Sequence, residues 1–345
     1  MTIIKHHMQI HQNYSLKKHN TFGLDISCKF YAEVENENEI RHVLSEKLFK
    51  DSPKLIIGGG SNILFTGDFD GLVVNQTSSK ISISSEDDEY AFVSAEAGVI
   101  WHELVLFCVN KNLGGIENLS LIPGKVGAAP IQNIGAYGQE LKDVFHSLKG
   151  IFIDDLREMN VNSTECEFGY RDSIFKKRLK NKFIITEVTL RLNKNPKLNV
   201  GYGAIEEELT KLKKDNLTLK DISDVVCKIR ISKLPDPQIL GNAGSFFKNP
   251  ELSVEEYELL KNKFTDLPGY KVADRIIKIP AGWLIERCGF KGKRFGNVGI
   301  HEKQALVIVN YGNGRPEEIL QLKNKIMEEV KLKFNIELRE EVNII

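Results

Sequence analysis

Ser245 stands in Gly241-Asn242-Ala243-Gly244-Ser245-Phe246-Phe247-Lys248-Asn249-Pro250, a single hydroxyl between small residues and bulky aromatics. Glycine and alanine lack the bulk to keep a second molecule off the backbone, so a ligand can approach this serine closely. Phe246 and Phe247 can exclude water from one side, while Lys248 and Asn249 offer a charge and hydrogen bonds. A serine in this setting can donate a proton in a dry site. The competing reading is a glycine-rich turn ahead of a strand.

Two loops earlier in the chain are built to meet a ligand with their backbone. Gly58-Gly59-Gly60-Ser61-Asn62 follows a short apolar run, and its bare amides can reach phosphate oxygens. Ile63 stands where G-x-G-x-x-G needs its third glycine, and no G-x-x-x-x-G-K-[ST] occurs, so neither a classical dinucleotide fold nor a P-loop is supported. A plain strand-to-turn reading competes here too. The second loop, 122–138, holds four glycines and two adjacent alanines and a single charge, Lys125. It is too apolar for a solvated linker and too rich in glycine for an ordinary core, although a buried structural loop is its alternative. Together the two loops suit one extended, partly apolar ligand with a pyrophosphate, and FAD fits that description.

Further polar residues are candidates on their types alone. Arg171, in Tyr170-Arg171-Asp172-Ser173, can clamp a carboxylate with two parallel hydrogen bonds, or pair with Asp172 at the surface. Tyr202 sits between Gly201 and Gly203, a tip that suits a closing lid or an ordinary turn. Lys233 precedes the stiff Leu234-Pro235-Asp236-Pro237 and can meet a phosphate. Glu340 and Glu341, near the end of the chain, read by default as solvated charge. The eight histidines form no metal spacing, and His6, His7 and His11 read as a loose tail.

The elements that must hold these residues are legible in outline. Ile40, Val43, Leu44 and Leu48 recur at helical spacing in 36–49, and a buried strand is expected at 54–57. Trp101, Leu104, Val105 and Cys108 share a helix face, with Gly114 expected to stop that helix. Val188, Leu190 and Leu192 alternate with polar residues in an expected strand at 183–192. The expected domain boundary falls in or just after the polar, lysine-rich stretch 193–221. Beyond it, Ser253 and Glu256 form a capping box, 281–288 is a short helix stopped by Gly289, and Ile319, Leu322, Ile326 and Val330 line a long helix after Pro316.

The composition bounds the function class. The chain of 345 residues is 41% hydrophobic and 27% charged, with 47 basic against 47 acidic residues. A neutral balance argues against a nucleic-acid scaffold or a membrane-surface binder. Five scattered cysteines without a C-x-x-C pair are expected as reduced thiols, and no apolar run reaches the ~18 residues of a membrane span. A cytoplasmic protein is expected.

In order along the chain, Asn20-Thr21-Phe22-Gly23, Gly60-Ser61-Asn62, the 122–138 loop, Tyr170-Arg171-Asp172-Ser173, Lys233-Leu234-Pro235-Asp236, the Ser245 segment and Ala281-Gly282-Trp283-Leu284-Ile285 closely resemble the UDP-N-acetylenolpyruvoylglucosamine reductase (MurB) family. The resemblance covers nearly the whole chain. Tyr202 and the Asn-Ala-Gly-Ser form of the serine motif resemble the subtype with a tyrosine loop. It implies an α+β fold, with a two-lobed FAD-binding domain of the vanillyl-alcohol-oxidase (PCMH) type and a C-terminal α/β substrate-binding domain. The implied bounds are 15–196 for the first, in lobes 15–75 and 76–196, and 222–338 for the second, with 339–345 returning to the active site. The implied activity is a dehydrogenase reaction run as NADPH-dependent reduction of the enolpyruvyl double bond of UDP-N-acetylglucosamine enolpyruvate. It proceeds through non-covalent FAD, gives UDP-N-acetylmuramate and feeds peptidoglycan synthesis.

The resemblance also assigns residues. Arg171, Ser245 and Glu341 take the catalytic roles: a cation for the substrate carboxylate, a proton donor, and a carboxylate that orients the site. The family pattern Glu-Pro-Glu-Val reads Arg339-Glu340-Glu341-Val342 here, and the register to Val342 selects Glu341, with Glu340 as its alternative. FAD falls to Gly58, Gly59, Gly60, Ser61 and Asn62 from the first loop. From the second it falls to Pro123, Gly124, Gly127, Ala128, Gln132, Asn133, Gly135 and Ala136. The UDP-sugar falls to Tyr137, Tyr202, Lys233, Asn249 and Gln304. No metal, nucleic acid or membrane partner is expected, and the implied state is a monomer. Another flavin oxidoreductase of the same fold, or a sugar-nucleotide binder without flavin, remains open at this point.

Overall fold

The computed structural model of the chain describes residues 9–345 and divides into two compact units. One comprises 9–14, Ser27–Gly59 and Phe69–Ser232; the other comprises Ser15–Ile26, Gly60–Asp68 and Lys233–Ile345. The expected loose tail falls partly outside this range, because His6 and His7 are not among the described residues. His11 is described, and it belongs to the strand Ile10–Ser15, with its ring 5.2 Å from that of Tyr14.

In the first unit, one four-stranded sheet runs in the order Ile10–Ser15, Ser27–Val34, Phe69–Gln76, Lys54–Ile57. Helix α1, Glu37–Ser45, begins where the Asn36 side chain accepts the Glu39 amide, an N-cap that offsets one of the orphan donors of the first turn. It packs Ile40, Val43 and Leu44 on Phe30, Leu72 and Val74. A five-stranded antiparallel sheet follows, ordered Glu158–Asn162, Phe145–Phe152, Phe183–Asn193, Tyr90–Glu96, Ile81–Glu86. Val188, Leu190 and Leu192 are buried, as their alternation requires. Helix α2, Trp101–Asn110, buries Trp101, Leu104, Val105 and Cys108 against that sheet, and the Trp101 indole donates to the Leu119 carbonyl at 2.9 Å.

Gly114 does not stop α2. The helix ends at Lys111, and Asn112, with φ of 55°, makes the left-handed turn. Gly114 instead forms a bridge with Asn193, and a Cβ there would come within 2.3 Å of Pro196. The expected boundary stretch is likewise structured. Helices α3, Gly203–Thr210, and α4, Leu219–Lys233, bury Ile205 and Leu209 against Ile222, Val225, Val226 and Ile229, inside the first unit.

In the second unit, Gly241–Ser245, Val307–Asn310, Val298–Ile300 and Arg294–Phe295 form an antiparallel sheet. The Ser245 segment is therefore a strand itself and not a turn before one. A smaller sheet joins Glu251–Ser253, Ile276–Lys278 and Tyr270–Ala273. Helix α5, Val254–Lys263, opens with the Ser253–Glu256 capping box; α6, Ala281–Arg287, is followed by Gly289 at φ 75°. Helix α7, Pro316–Phe334, buries Ile319, Leu322, Ile326 and Val330. Early and late residues of the chain pair directly here, Asn343–Ile344 running parallel to Ile63–Leu64.

Candidate active site

In the first unit the two glycine loops touch. A Cβ on Gly59 would lie 3.2 Å from the Gly124 Cα, and one on Gly58 would meet the Ala128 and Lys125 Cβ atoms at 3.4 and 3.5 Å. Gly127 has still less room, since a Cβ there would fall 2.6 Å from that of Ala97. These close approaches explain glycine at 59 and 127. Gly124, at φ 121°, and Gly138, at φ 80°, adopt backbone that other residues avoid. Short 3₁₀ turns at Val126–Ala128 and Pro130–Gln132 carry the loop between them. Its middle is fixed by Asn133, fully buried and left-handed at φ 44°. The Asn133 amide donates to the Glu140 carboxylate at 3.1 Å and the Gly169 carbonyl at 3.0 Å, and its oxygen accepts the Lys142 amide at 3.0 Å.

Arg171 reaches this loop. Its guanidinium donates to the Gly135 carbonyl and, at 3.4 Å, to that of Asn133. Its own backbone is left-handed at φ 51°, a conformation that costs a non-glycine residue of order 1 kcal/mol or more and points to a constrained role. Asp172, the neighbour that could have paired with it at the surface, pairs with Lys177 at 2.6 Å. Ser173 donates to the Ile131 carbonyl at 2.6 Å and caps the short turn that follows by accepting the Phe175 amide.

Tyr137, also left-handed at φ 50°, meets Tyr202 edge to face with ring centroids 5.3 Å apart. Tyr202 is half exposed at the start of α3. Burial pushes the Tyr137 phenol above its usual range, against the pull of Arg230, whose guanidinium is itself lowered by burial. Sequence reading missed Arg230, because on α4 it looks like any charge on an amphipathic helix. It also missed Asn118, whose amide donates at 3.0 Å to both the Tyr137 and the Asn199 carbonyls. That clamp ties the end of the loop to the segment leading into Tyr202. The Asn118 Oδ1 has no partner among the described residues.

In the second unit Gly60 is left-handed at φ 60°, and a Cβ would fall 2.0 Å from the His19 carbonyl, so only glycine fits. Its carbonyl accepts the Thr21 amide at 3.1 Å. Asn62 donates from its side chain to the Glu341 carbonyl at 3.2 Å, and its own carbonyl accepts the Asn343 amide at 3.0 Å. The Glu341 amide in turn donates to the Phe246 carbonyl at 2.8 Å, which brings Glu341 beside the residue after Ser245. Ser245 is positioned by a register shift between Asn242 and Ser245. Gly244 turns left-handed at φ 69°, and the Asn242 side chain accepts the Gly244 amide at 2.9 Å. Phe246 and Phe247 are buried behind it.

Glu340 and Glu341 take different environments. Glu340 bridges to Phe247 and pairs with Lys323 on α7 at 2.8 Å. Burial, the largest single influence, raises the Glu340 carboxyl, but the Lys323 hydrogen bond, a backbone hydrogen bond and the Lys323 charge together leave the group below its ordinary range. Ile336, Leu338 and Val342 are buried at alternate positions, so Glu340 shares their inward face and Glu341 the opposite one. Lys323, on α7, was not singled out by the sequence. Asn249 accepts the Ala281 amide at 2.9 Å, holding the start of α6. Gln304 lies over Gly282, whose Cβ would stand 3.4 Å from its Oε1. Lys233 is the exposed last residue of α4. Among the described residues no His, Cys, Asp or Glu group could hold a metal.

Comparisons with known proteins agree along the chain. A family model described as "UDP-N-acetylenolpyruvoylglucosamine reductase, C-terminal domain" matches residues 236–345, and one described as "FAD binding domain" matches 28–154. The UDP-N-acetylenolpyruvoylglucosamine reductase of Flavobacterium johnsoniae is 48% identical over 98% of this chain and 100% of its own length. That of Amoebophilus asiaticus is 46% identical over 98% and 100%, and that of Pseudomonas aeruginosa 43% over 98% and 99%. The crystal structure of the Thermus caldophilus reductase superposes with a TM-score of 0.69 over 98% of this chain and 99% of that one. It is 23% identical and speaks to the fold.

Proposed function

The chain belongs to the UDP-N-acetylenolpyruvoylglucosamine reductase family, and from that membership we infer that it reduces the enolpyruvyl double bond of UDP-N-acetylglucosamine enolpyruvate to UDP-N-acetylmuramate, with NADPH as donor and FAD as cofactor. The observation that carries the reading is 48% identity to such a reductase from end to end of both chains. The glycine loops fit FAD: at 59 and 127 a Cβ would press on Gly124 and Ala97, so the backbone stays bare, and bare amides suit phosphate oxygens. Residues 58–62 and the 123–136 positions named above would hold it. When bound, FAD supplies the relay that takes a hydride from NADPH to the terminal carbon of the double bond.

Hydride addition there leaves negative charge on the carbon next to the carboxylate and spreads it into that carboxylate. A fixed guanidinium lowers the barrier to this change, and Arg171 takes that role. The carbonyls of residues 133 and 135 hold its planar head, so little reorganisation remains for the reaction. Ser245 gives its proton to the carbanionic carbon and is reprotonated from solvent. Buried Phe246 and Phe247 keep one side of that hydroxyl dry. Glu341 is the carboxylate that orients the reacting groups, a role supported by the engagement of Glu340 with Lys323. Tyr137, Tyr202, Lys233, Asn249 and Gln304 hold the UDP-sugar, with Tyr202 as the lid of the tyrosine-loop subtype. We assign FAD binding to 15–196 and substrate binding to 222–338, although the compact units group Ser15–Ile26, Gly60–Asp68 and residues 222–232 the other way. Among the described residues no helix is long and apolar enough to cross a membrane; the protein acts in the cytoplasm, as a monomer.

Anaerobic absorbance spectroscopy tests the reading. The purified protein is yellow, NADPH bleaches it, and colour returns on adding the UDP-enolpyruvyl sugar. Colour that returns with unrelated hydroxylated substrates, or a colourless protein that binds the sugar nucleotide, contradicts it.

A further inference from the structure

Lys125 is the single charge in the 122–138 loop, and the structure turns it inward. Its ammonium donates to the Asn75 side-chain oxygen at 2.8 Å and to the Gln76 carbonyl at 2.5 Å, both at the end of the strand Phe69–Gln76. Asn75 and Gln76 are buried. The Asn75 amide passes the contact on to the Tyr31 hydroxyl at 2.9 Å, and Tyr31 donates to the exposed Glu33 carboxylate at 2.8 Å. Among the described residues no carboxylate lies within ion-pair distance of Lys125. Burial lowers its affinity for the proton, and Glu33 opposes that only from a distance. The Lys125 Cβ lies where the two glycine loops meet, 3.5 Å from where Gly58 would carry one, and Gly124 precedes it at the Gly59 contact.

A half-buried cation without a counter-ion is disfavoured, and a nearby anion would offset that cost. The bare glycine turn packs against the Lys125 Cβ, and its amides suit phosphate oxygens. We propose that Lys125 is a positioning residue for FAD: it pins the 122–138 loop to the first sheet through Asn75 and Gln76, and its unbridged charge, on a side chain whose Cβ packs at Gly58, raises affinity for the pyrophosphate. This rests on the flavin reading of the glycine loops. The cation acts from behind the backbone and the amides make the contacts.

The test is FAD titration of the apoprotein, followed by flavin fluorescence at low and high salt, for wild type, Lys125→Met, Lys125→Arg and Asn75→Ala. Lys125→Met is expected to raise the FAD Kd by tenfold or more and to flatten its dependence on salt, since one half-buried charge beside the glycine loops is gone. Lys125→Arg keeps the salt dependence, and Asn75→Ala, which frees the tether but leaves the charge, raises Kd less than Lys125→Met. With FAD saturating, the KM for the UDP-sugar stays at its wild-type value in all three. A Lys125→Met protein that binds FAD within twofold of wild type with the same salt dependence overturns the proposal. So does an Asn75→Ala protein that loses as much affinity as Lys125→Met together with its salt dependence. Wild-type apoprotein that does not bind FAD at all overturns the flavin reading instead.

Discussion

A serine hydroxyl is a weak acid, so in the proposed mechanism Ser245 protonates carbon only after hydride has made that carbon strongly basic, in a site short of water. The order of events makes the residue separable. Ser245→Ala is expected to leave flavin bleaching by NADPH near the wild-type rate and to slow recolouring by the UDP-sugar about 10²–10³-fold, the cost of removing one preorganised group. Stopped-flow absorbance of the two half-reactions reads this, and equal slowing of both would make Ser245 structural. The neighbouring carboxylates separate in the same way. Glu341→Gln is expected to abolish most turnover with little change in Tm. Glu340→Gln leaves Lys323 a neutral acceptor in place of its charged partner at 2.8 Å and costs about 1–3 kcal/mol of stability, with a mild effect on turnover. If Glu340→Gln is the change that stops turnover, the register is off by one. The sequence shows that only one of two adjacent strand residues can face a ligand. Which one depends on Lys323 and on burial at Ile336, Leu338 and Val342, and only the folded chain displays that.

Elements whose signals are local were legible. The Ser253–Glu256 capping box, the strand alternation at Val188, Leu190 and Leu192, and the apolar face of α7 each depend on residues a few positions apart. Gly114 was misread because its constraint comes from Pro196, far along the chain. The bulge that sets Ser245 depends on pairing with Val307 and was equally invisible. At this scale Tyr202 tips a short helix, and Asn118 anchors the segment before it through Asn199. Tyr202→Phe is expected to raise the KM for the UDP-sugar several-fold and to leave NADPH bleaching unchanged; an unchanged KM would count against a lid. The start of α4 carries a pH-dependent contribution. Asp221 accepts from Thr218 at 2.7 Å and from Lys214 at 2.5 Å, the Lys214 bond first among the causes that hold its carboxyl at about 2. A carboxyl depressed in the folded state adds stability above its unfolded pKa of about 4, and that gain is lost as pH falls toward 2. Asp221→Asn should therefore cost about 1–2 kcal/mol at pH 7 and nearly nothing near pH 2. A cost independent of pH, measured by denaturant unfolding, would refute this assignment.

Across the whole molecule the chain returns to places it has already built. Ser15–Ile26 and Gly60–Asp68 belong with the C-terminal unit, while α3 and α4 belong with the N-terminal one. Sequence-based bounds at 196 and 222 follow polarity, and polarity did not mark Ile205, Leu209, Ile222 and Val226 as a shared core across a lysine-rich stretch. The parallel pairing of Ile63–Leu64 with Asn343–Ile344 joins segments about 280 residues apart, and no local pattern encodes it. What ties these segments to one function is the chemistry assigned to them, and isotopic labelling tests that chemistry most directly. The holoenzyme turns over UDP-N-acetylglucosamine enolpyruvate in D₂O with unlabelled NADPH, and in H₂O with NADPH deuterated at the transferable position. The account predicts solvent deuterium at the carbon next to the carboxylate in the first case and donor deuterium at the terminal carbon in the second, diluted to the extent that the reduced cofactor's N–H exchanges with solvent before transfer. Labels at the opposite carbons, or a substrate recovered unreduced while NADPH is consumed, would contradict it.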